Sequence, residues 1–183
     1  MTSMNFKYAY KLSAKRRSLL GIVVIFVLLL MNSCKINYSF TGASISPDVK
    51  TVSVGHFQNL APLVNPTLSN LLSEELRNRF VTQTSLNVVP SFGHLNFTGE
   101  IRNYEIRPVA IQGNEIAAQN RLTISVRVKF ENSIDPTQNY DKNFSHYEDF
   151  SSNQQLSQVE QQLVTLIVEK LVEDIFNNAV ANW

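Results

Sequence analysis

The chain predicts an α+β fold: a two-layer sandwich with two helices packed on one face of a mixed, mostly antiparallel sheet of about four strands. Three observations carry that expectation. Leu122, Ile124, Val126, Val128 and Phe130 alternate without a fault against Arg121, Thr123, Ser125, Arg127, Lys129 and Glu131. Such alternation marks a strand with one face on a core and the other in water. Apolar residues recur at helical spacing in two places, Leu68 to Phe80 and Leu163 to Phe176. Strand-like runs lie before and between them, so the order is β-α-(β)β-β-β-α, and two one-sided helices need a sheet to cover.

Ahead of the domain, Lys7, Lys11, Lys15, Arg16 and Arg17 precede an apolar run from Leu19 to Met31 and then Asn32-Ser33-Cys34. A cationic segment, about a dozen apolar residues and a small residue before a cut site form a secretory signal. As a helix the apolar run spans roughly 20 Å, short of a hydrocarbon layer of about 30 Å, which favours a removed leader over a spanning anchor. Cys34 is the only cysteine, so no disulfide within the chain can use it. Leu30-Met31-Asn32-Ser33-Cys34 resembles a bacterial lipobox, with acylation expected at Cys34; the alternative is a buried free thiol. Residues 1–33 are then a lipoprotein signal peptide, 34–50 an acylated tether, and 51–183 a single domain.

Cleavage before Cys34 leaves 150 of the 183 residues and removes five positive charges, so +1 becomes −4. A nucleic-acid partner is not expected of so acidic a remainder. Without disulfides, the domain must be held by packing alone.

Thr51 to Phe57 reads as a first strand through Val52 and Val54. Asn65-Pro66 opens the first helix, Asn capping and Pro occupying the first turn. Leu68, Leu71, Leu72, Leu76 and Phe80 form its stripe, with Ser69 and Ser73 on the wet side and an end near Gln83. Leu86 to Val89 is a short strand stopped by Pro90. Asn96 to Arg107 is a longer one whose parity slips between Ile101 and Tyr104, which calls for a bulge near Asn103. Pro108 to Asn120 reads as a hairpin loop, Arg121 to Glu131 as the alternating strand, and Asn139 to Phe150 as its aromatic partner. Ser157 and Glu160 have capping-box spacing at the start of the last helix, whose stripe is Leu163, Leu166, Ile167, Leu171, Ile175 and Phe176.

Chemistry-bearing motifs are sparse. His56, His94 and His146 stand far apart, with no second ligand at metal spacing, and neither a phosphate loop nor a nucleophile motif is present. No catalytic residue, metal or cofactor is assigned, and an enzyme is not expected.

Six runs are similar to a known family: Tyr38-Ser-Phe-Thr-Gly-Ala-Ser-Ile45, Ala61-Pro-Leu-Val-Asn-Pro-Thr-Leu68, Phe97-Thr-Gly-Glu-Ile101, Pro108-Val-Ala-Ile-Gln-Gly113, Ala117-Ala-Gln-Asn-Arg-Leu-Thr-Ile124 and the terminal Val172 to Trp183. In order and spacing they resemble the LptE family of lipopolysaccharide-assembly lipoproteins, in its Bacteroidetes form. The resemblance implies a protein lipid-anchored to the outer membrane on its periplasmic side, which plugs the LptD β-barrel and binds lipopolysaccharide on its way to the surface. It also implies two helices over a four-stranded sheet.

Two sets of residues are candidates for those contacts. Arg121, Arg127 and Lys129 point away from the helices, and Arg102 and Arg107 on the neighbouring strand can join them as a site for lipid A phosphates. The alternative is that these are solvated strand positions balanced by Glu100 and Glu131. Phe92, Tyr104, Ile111 and Ile116 are candidates for barrel contact, against the alternative that they pack their own loops.

Overall fold

The computed structural model describes residues 45–63, 65–109 and 118–180. The leader, Cys34, Ile111 and Ile116 lie outside these residues. The elements are β1 (Thr51–Val54), β2 (Gln58–Asn59), α1 (Leu68–Gln83), β3 (Asn87–Val88), β4 (Leu95–Val109), β5 (Gln119–Asn132), a 3-10 turn (Pro136–Gln138), β6 (Tyr140–Ser151) and α2 (Leu156–Val180). They build the expected α+β class. The sheet runs β3-β1-β4-β5-β6, with β2 extending the β1 side of β4. Its six strands exceed the expected four because β2 and β3 are two-residue pieces. Pairings among β1 to β4 are parallel, whereas β4, β5 and β6 form an antiparallel meander.

The alternation read on β5 is realised: Leu122, Ile124, Val126, Val128 and Phe130 are all at most 1% exposed. β4 carries the parity slip between Ile101 and Asn103. Ile101 faces Val126 and Asn103 faces Ser125, which leaves Arg102 as the extra residue and returns Tyr104 to the core side opposite Ile124. An aromatic row crosses the sandwich through Phe176, Phe80, Phe97, Phe130 and Tyr140, with successive ring centroids 4.8 to 5.1 Å apart. Gly99 lies on the same side as Phe97, where a Cβ would stand 2.5 Å from the Phe57 ring and 2.3 Å from the Arg127 carbonyl. Only glycine lets Phe57 close over β4 here.

Several local expectations are corrected. α1 starts at Leu68, because the Asn65 side chain accepts from the Thr67 N–H (3.0 Å) and hydroxyl (2.8 Å) in a turn ahead of the helix. Ser69 and Ser73 are buried, not wet: Ser73 Oγ accepts the Phe57 N–H (3.1 Å) and donates to the Ser69 carbonyl (2.8 Å). A short hydroxyl can face a core when it satisfies a loop amide there. Pro108 belongs to β4, opposite Asn120, so both strands outlast the sequence reading. Leu166 is 38% exposed, and α2 instead buries Val164, Val168 and Val172 beside the expected stripe. The capping box is not used, because Glu160 reaches across the fold to other partners.

Those partners explain Tyr104. Its hydroxyl donates to Glu160 Oε1 at 2.6 Å, and Asn65 Nδ2 donates to the same oxygen at 2.9 Å. One carboxylate thus joins α2 to β4 and to the loop before α1. Desolvation, with the neighbouring Glu160 charge, pushes the Tyr104 phenol far above its ordinary value.

Candidate functional site on the open sheet face

Both helices pack on one side, leaving the opposite face of the β4-β5-β6 meander uncovered by them. Strand parity dictates what stands there. Residues alternating with the β5 core set are Arg121, Thr123, Ser125, Arg127, Lys129 and Glu131, and the register brings up Glu100, Glu105 and Arg107 from β4. From β6 come Asp141, Asn143, Ser145, Tyr147 and Asp149, because Phe150 and the other even-numbered residues turn toward α2.

All five candidate cations are on this part of the sheet, and each has a carboxylate partner. Arg121 forms a two-pronged pair with Asp149, Nε to Oδ1 at 2.7 Å and Nη2 to Oδ2 at 2.9 Å. Its Cζ lies 3.6 Å from the Tyr147 ring centroid, a cation over an aromatic face. Arg127 forms a second fork with Asp141, both contacts at 2.7 Å, and has Glu100 3.8 Å from Nη1. Arg102, lifted by the bulge, reaches Glu100 at 2.6 Å; Arg107 meets Glu105 at 2.9 Å; Lys129 meets Glu131 at 2.7 Å. Five cations face five carboxylates, so the ladder is neutral.

The pairing shows in the proton affinities. Hydrogen bonding from Arg127 holds the Asp141 carboxyl below its ordinary range, Arg121 does the same for Asp149, and Lys129 with Asn96 for Glu131. The same contacts raise Arg121, Arg127 and Lys129. Two shallow depressions flank Arg127 and Asp141. One, of about 330 Å³, is lined by Gln58, Thr98, Glu100 and Lys129; the other, of about 710 Å³, by Arg102, Ser125, Asn143 and Ser145. Open and lined by polar and charged residues, they suit a broad headgroup or a protein surface better than an enclosed small molecule.

The sequence located the cations and named Glu100 and Glu131 as balancing charges, but missed Glu105, Asp141 and Asp149 as partners. The signal was available in the odd-numbered polar positions of the 140–151 strand, which face Arg127 and Arg121 once β6 lies against β5. Of the four barrel-contact candidates, Phe92 and Tyr104 are among the described residues. Tyr104 is 4% exposed, and its hydroxyl is bonded to Glu160 within the domain. Phe92 is 97% exposed just before β4 begins, and Ile111 and Ile116 lie outside the described residues. The histidines remain apart: His94 Nδ1 accepts from the Lys50 N–H (3.1 Å), His146 lies 2.7 Å from Asp174, and His56 is exposed. Among the described residues, no group of three or more His, Cys, Asp or Glu is placed to hold a metal.

Fold and face together define a small α+β sandwich domain with a neutral, uncovered charge ladder. A family model described as lipopolysaccharide-assembly, LptE, matches residues 49–179, and the chain belongs to that family. Three solved structures are similar to the chain at low identity. A hypothetical protein from Chlamydia trachomatis is 12% identical, with a TM-score of 0.50 over 73% of this chain and 99% of that one. A minor lipoprotein from Acinetobacter baumannii is 13% identical, with a TM-score of 0.45 over 69% and 89%. A lipoprotein from Neisseria meningitidis is 13% identical, with a TM-score of 0.38 over 70% and 99%. No curated protein matches the chain.

Proposed function

We propose that this protein is an outer-membrane lipoprotein, anchored through acylated Cys34 on the periplasmic side, that assembles with and plugs an LptD-like β-barrel and binds lipopolysaccharide during its transport. The observation that carries the reading is membership of the lipopolysaccharide-assembly family across residues 49–179. The role is assembly rather than turnover. Lipid A phosphates would meet Arg102, Arg107, Arg121, Arg127 and Lys129 on the open face, displacing their carboxylates. Exposed ion pairs are worth only about 0–1 kcal/mol each, so exchange for a doubly charged phosphate is affordable. The segment between Val109 and Ala118, with Ile111 and Ile116, is the part of the barrel-contact set offered to the lumen.

One observation favours a second reading, a membrane-anchored periplasmic scaffold that handles no lipid: every candidate cation is already neutralised. Mild-detergent extraction of the tagged lipoprotein separates the two. The first reading expects a barrel protein and lipopolysaccharide to co-purify, with the lipopolysaccharide falling at least fivefold in an Arg127→Glu/Lys129→Glu variant while the barrel is retained. Recovery of neither a barrel protein nor lipopolysaccharide supports the scaffold, and lipopolysaccharide indifferent to the charge reversal removes the cation site.

A further inference from the structure

One segment has an arrangement that packing inside the domain does not account for. Residues 89–94 lead from β3 to β4 across β1, and β1 lies between those two strands. Ser53, of opposite parity to core residues Val52 and Val54, accepts the Gly93 N–H (3.1 Å), so the crossing lies over the face away from the helices. It lies close: a Cβ on Gly93 would stand 2.5 Å from Ser53 N and 2.7 Å from Val52 C. The Val89 N–H donates to the Val52 carbonyl (2.9 Å) and the His94 N–H to Thr51 Oγ1 (2.9 Å), so the segment is pinned at both ends. Between the pins Phe92 is 97% exposed with φ 55°, the left-handed region that L side chains rarely adopt. A pinned loop thus holds an aromatic ring out in water.

The surroundings say what meets it. Ser133 donates through N–H (2.9 Å) and Oγ (3.2 Å) to the His94 carbonyl, which stitches the next loop alongside and places Ile134, 42% exposed, at the same end. The chain also enters the domain here, since the Lys50 N–H donates to His94 Nδ1 at 3.1 Å. Ten residues separate Cys34 from Ile45, a reach of about 35 Å when extended. β4 runs away from this end for 15 residues, about 50 Å. An anchor at Cys34 therefore holds this end within about 35 Å of the bilayer and excludes the inverted orientation, with the far end of β4 against the lipid and this end about 50 Å away. The exposed charges nearest the entering chain, Asp48 and Lys50, are mixed, which suits a zwitterionic surface and not a strongly anionic one.

We infer that this end is a membrane seat, in which Phe92, with Ile134 beside it, enters the interfacial layer of a zwitterionic phospholipid bilayer. The inference rests on the anchoring of Cys34 proposed above. Aromatic rings favour that layer, and a second contact turns a lipid tether into a fixed orientation.

The test places one reporter on the acylated protein. Trp183→Phe removes the only tryptophan, and Phe92→Trp supplies an indole at an exposed position that folding does not need. The protein is floated with phosphatidylcholine–phosphatidylethanolamine vesicles, with and without bromine on the acyl chains. The expected result is blue-shifted emission, quenched at least twofold by the brominated lipid, while a Leu166→Trp reporter in the same Trp183→Phe background stays unquenched. A protein that floats with an unquenched position-92 indole overturns the seat alone, as does an indole that shifts only when a barrel protein is added. A protein that does not float overturns the anchoring and the seat with it.

Discussion

Glu160 shows how a single side chain takes a role its local sequence does not announce. Three residues after Ser157, it has the spacing to reach back and cap its own helix, yet Oε1 accepts from Tyr104 (2.6 Å) and Asn65 (2.9 Å) instead. The carboxylate gains more by satisfying a buried phenol and a loop amide than by one more contact with an exposed backbone. No spacing rule finds this, because Asn65 is 95 and Tyr104 56 positions away. Tyr104→Phe keeps the ring and deletes only the hydroxyl. A hydrogen bond to a charged acceptor is worth about 1.5–3 kcal/mol, and Asn65 still serves the carboxylate, so a loss of about 1.5 kcal/mol is expected in urea unfolding. An unchanged midpoint would mean that the phenol contributes packing alone.

Among the elements, β4 does most to place the candidate site, and its bulge does so by changing parity once. Before the bulge, odd positions such as Phe97 and Ile101 are buried; after it, Tyr104 is. Deleting Arg102 removes the one residue without a partner on β5 and leaves Ile101 opposite Val126 and Asn103 opposite Ser125. Deleting Thr98 instead turns Leu95 and Phe97 away from the core. The Arg102 deletion is therefore expected to fold cooperatively at a cost of about 1 kcal/mol, and the Thr98 deletion to lose 3–5 kcal/mol or fail to fold, as read by denaturant titration. Equal costs would show that the bulge itself, not parity, matters. Such parity was legible: the slip near Asn103, the β5 alternation and both helical stripes can be read from residue order because each is local. The buried serines of α1 and the crossing over β1 were not, and the alternation of the 140–151 strand marks Asp141 and Asp149 as polar positions without naming Arg127 and Arg121 as their partners. They depend on which strands become neighbours, and that is decided by long-range packing.

At the scale of the whole molecule, two differently built sets of groups bound the pH range of stability. On the open face, Glu131, Asp141 and Asp149 are held below the ordinary carboxylate range by hydrogen bonds from Lys129, Arg127 and Arg121. In the unfolded chain those carboxyls take up protons near pH 4 while their folded counterparts stay ionised, so acid favours unfolding and their contribution fades as pH falls below about 4. Tyr104 and Tyr140 have the opposite sign. Burial raises both phenols above their ordinary value of 10.0, so the unfolded chain ionises first and stability falls as pH rises past about 10. The two arms also differ in cause. Exposed ion pairs are screened by salt, whereas desolvation of a phenol is not. Thermal midpoints are therefore expected to be flat between about pH 5 and 9 and to fall on either side, with the acid arm shrinking at about 0.5 M salt and the alkaline arm shrinking less, because ion pairing raises Lys129 there but burial raises the phenols. An acid arm indifferent to salt would show that the charge ladder adds nothing to stability and is free to exchange its carboxylates for phosphate.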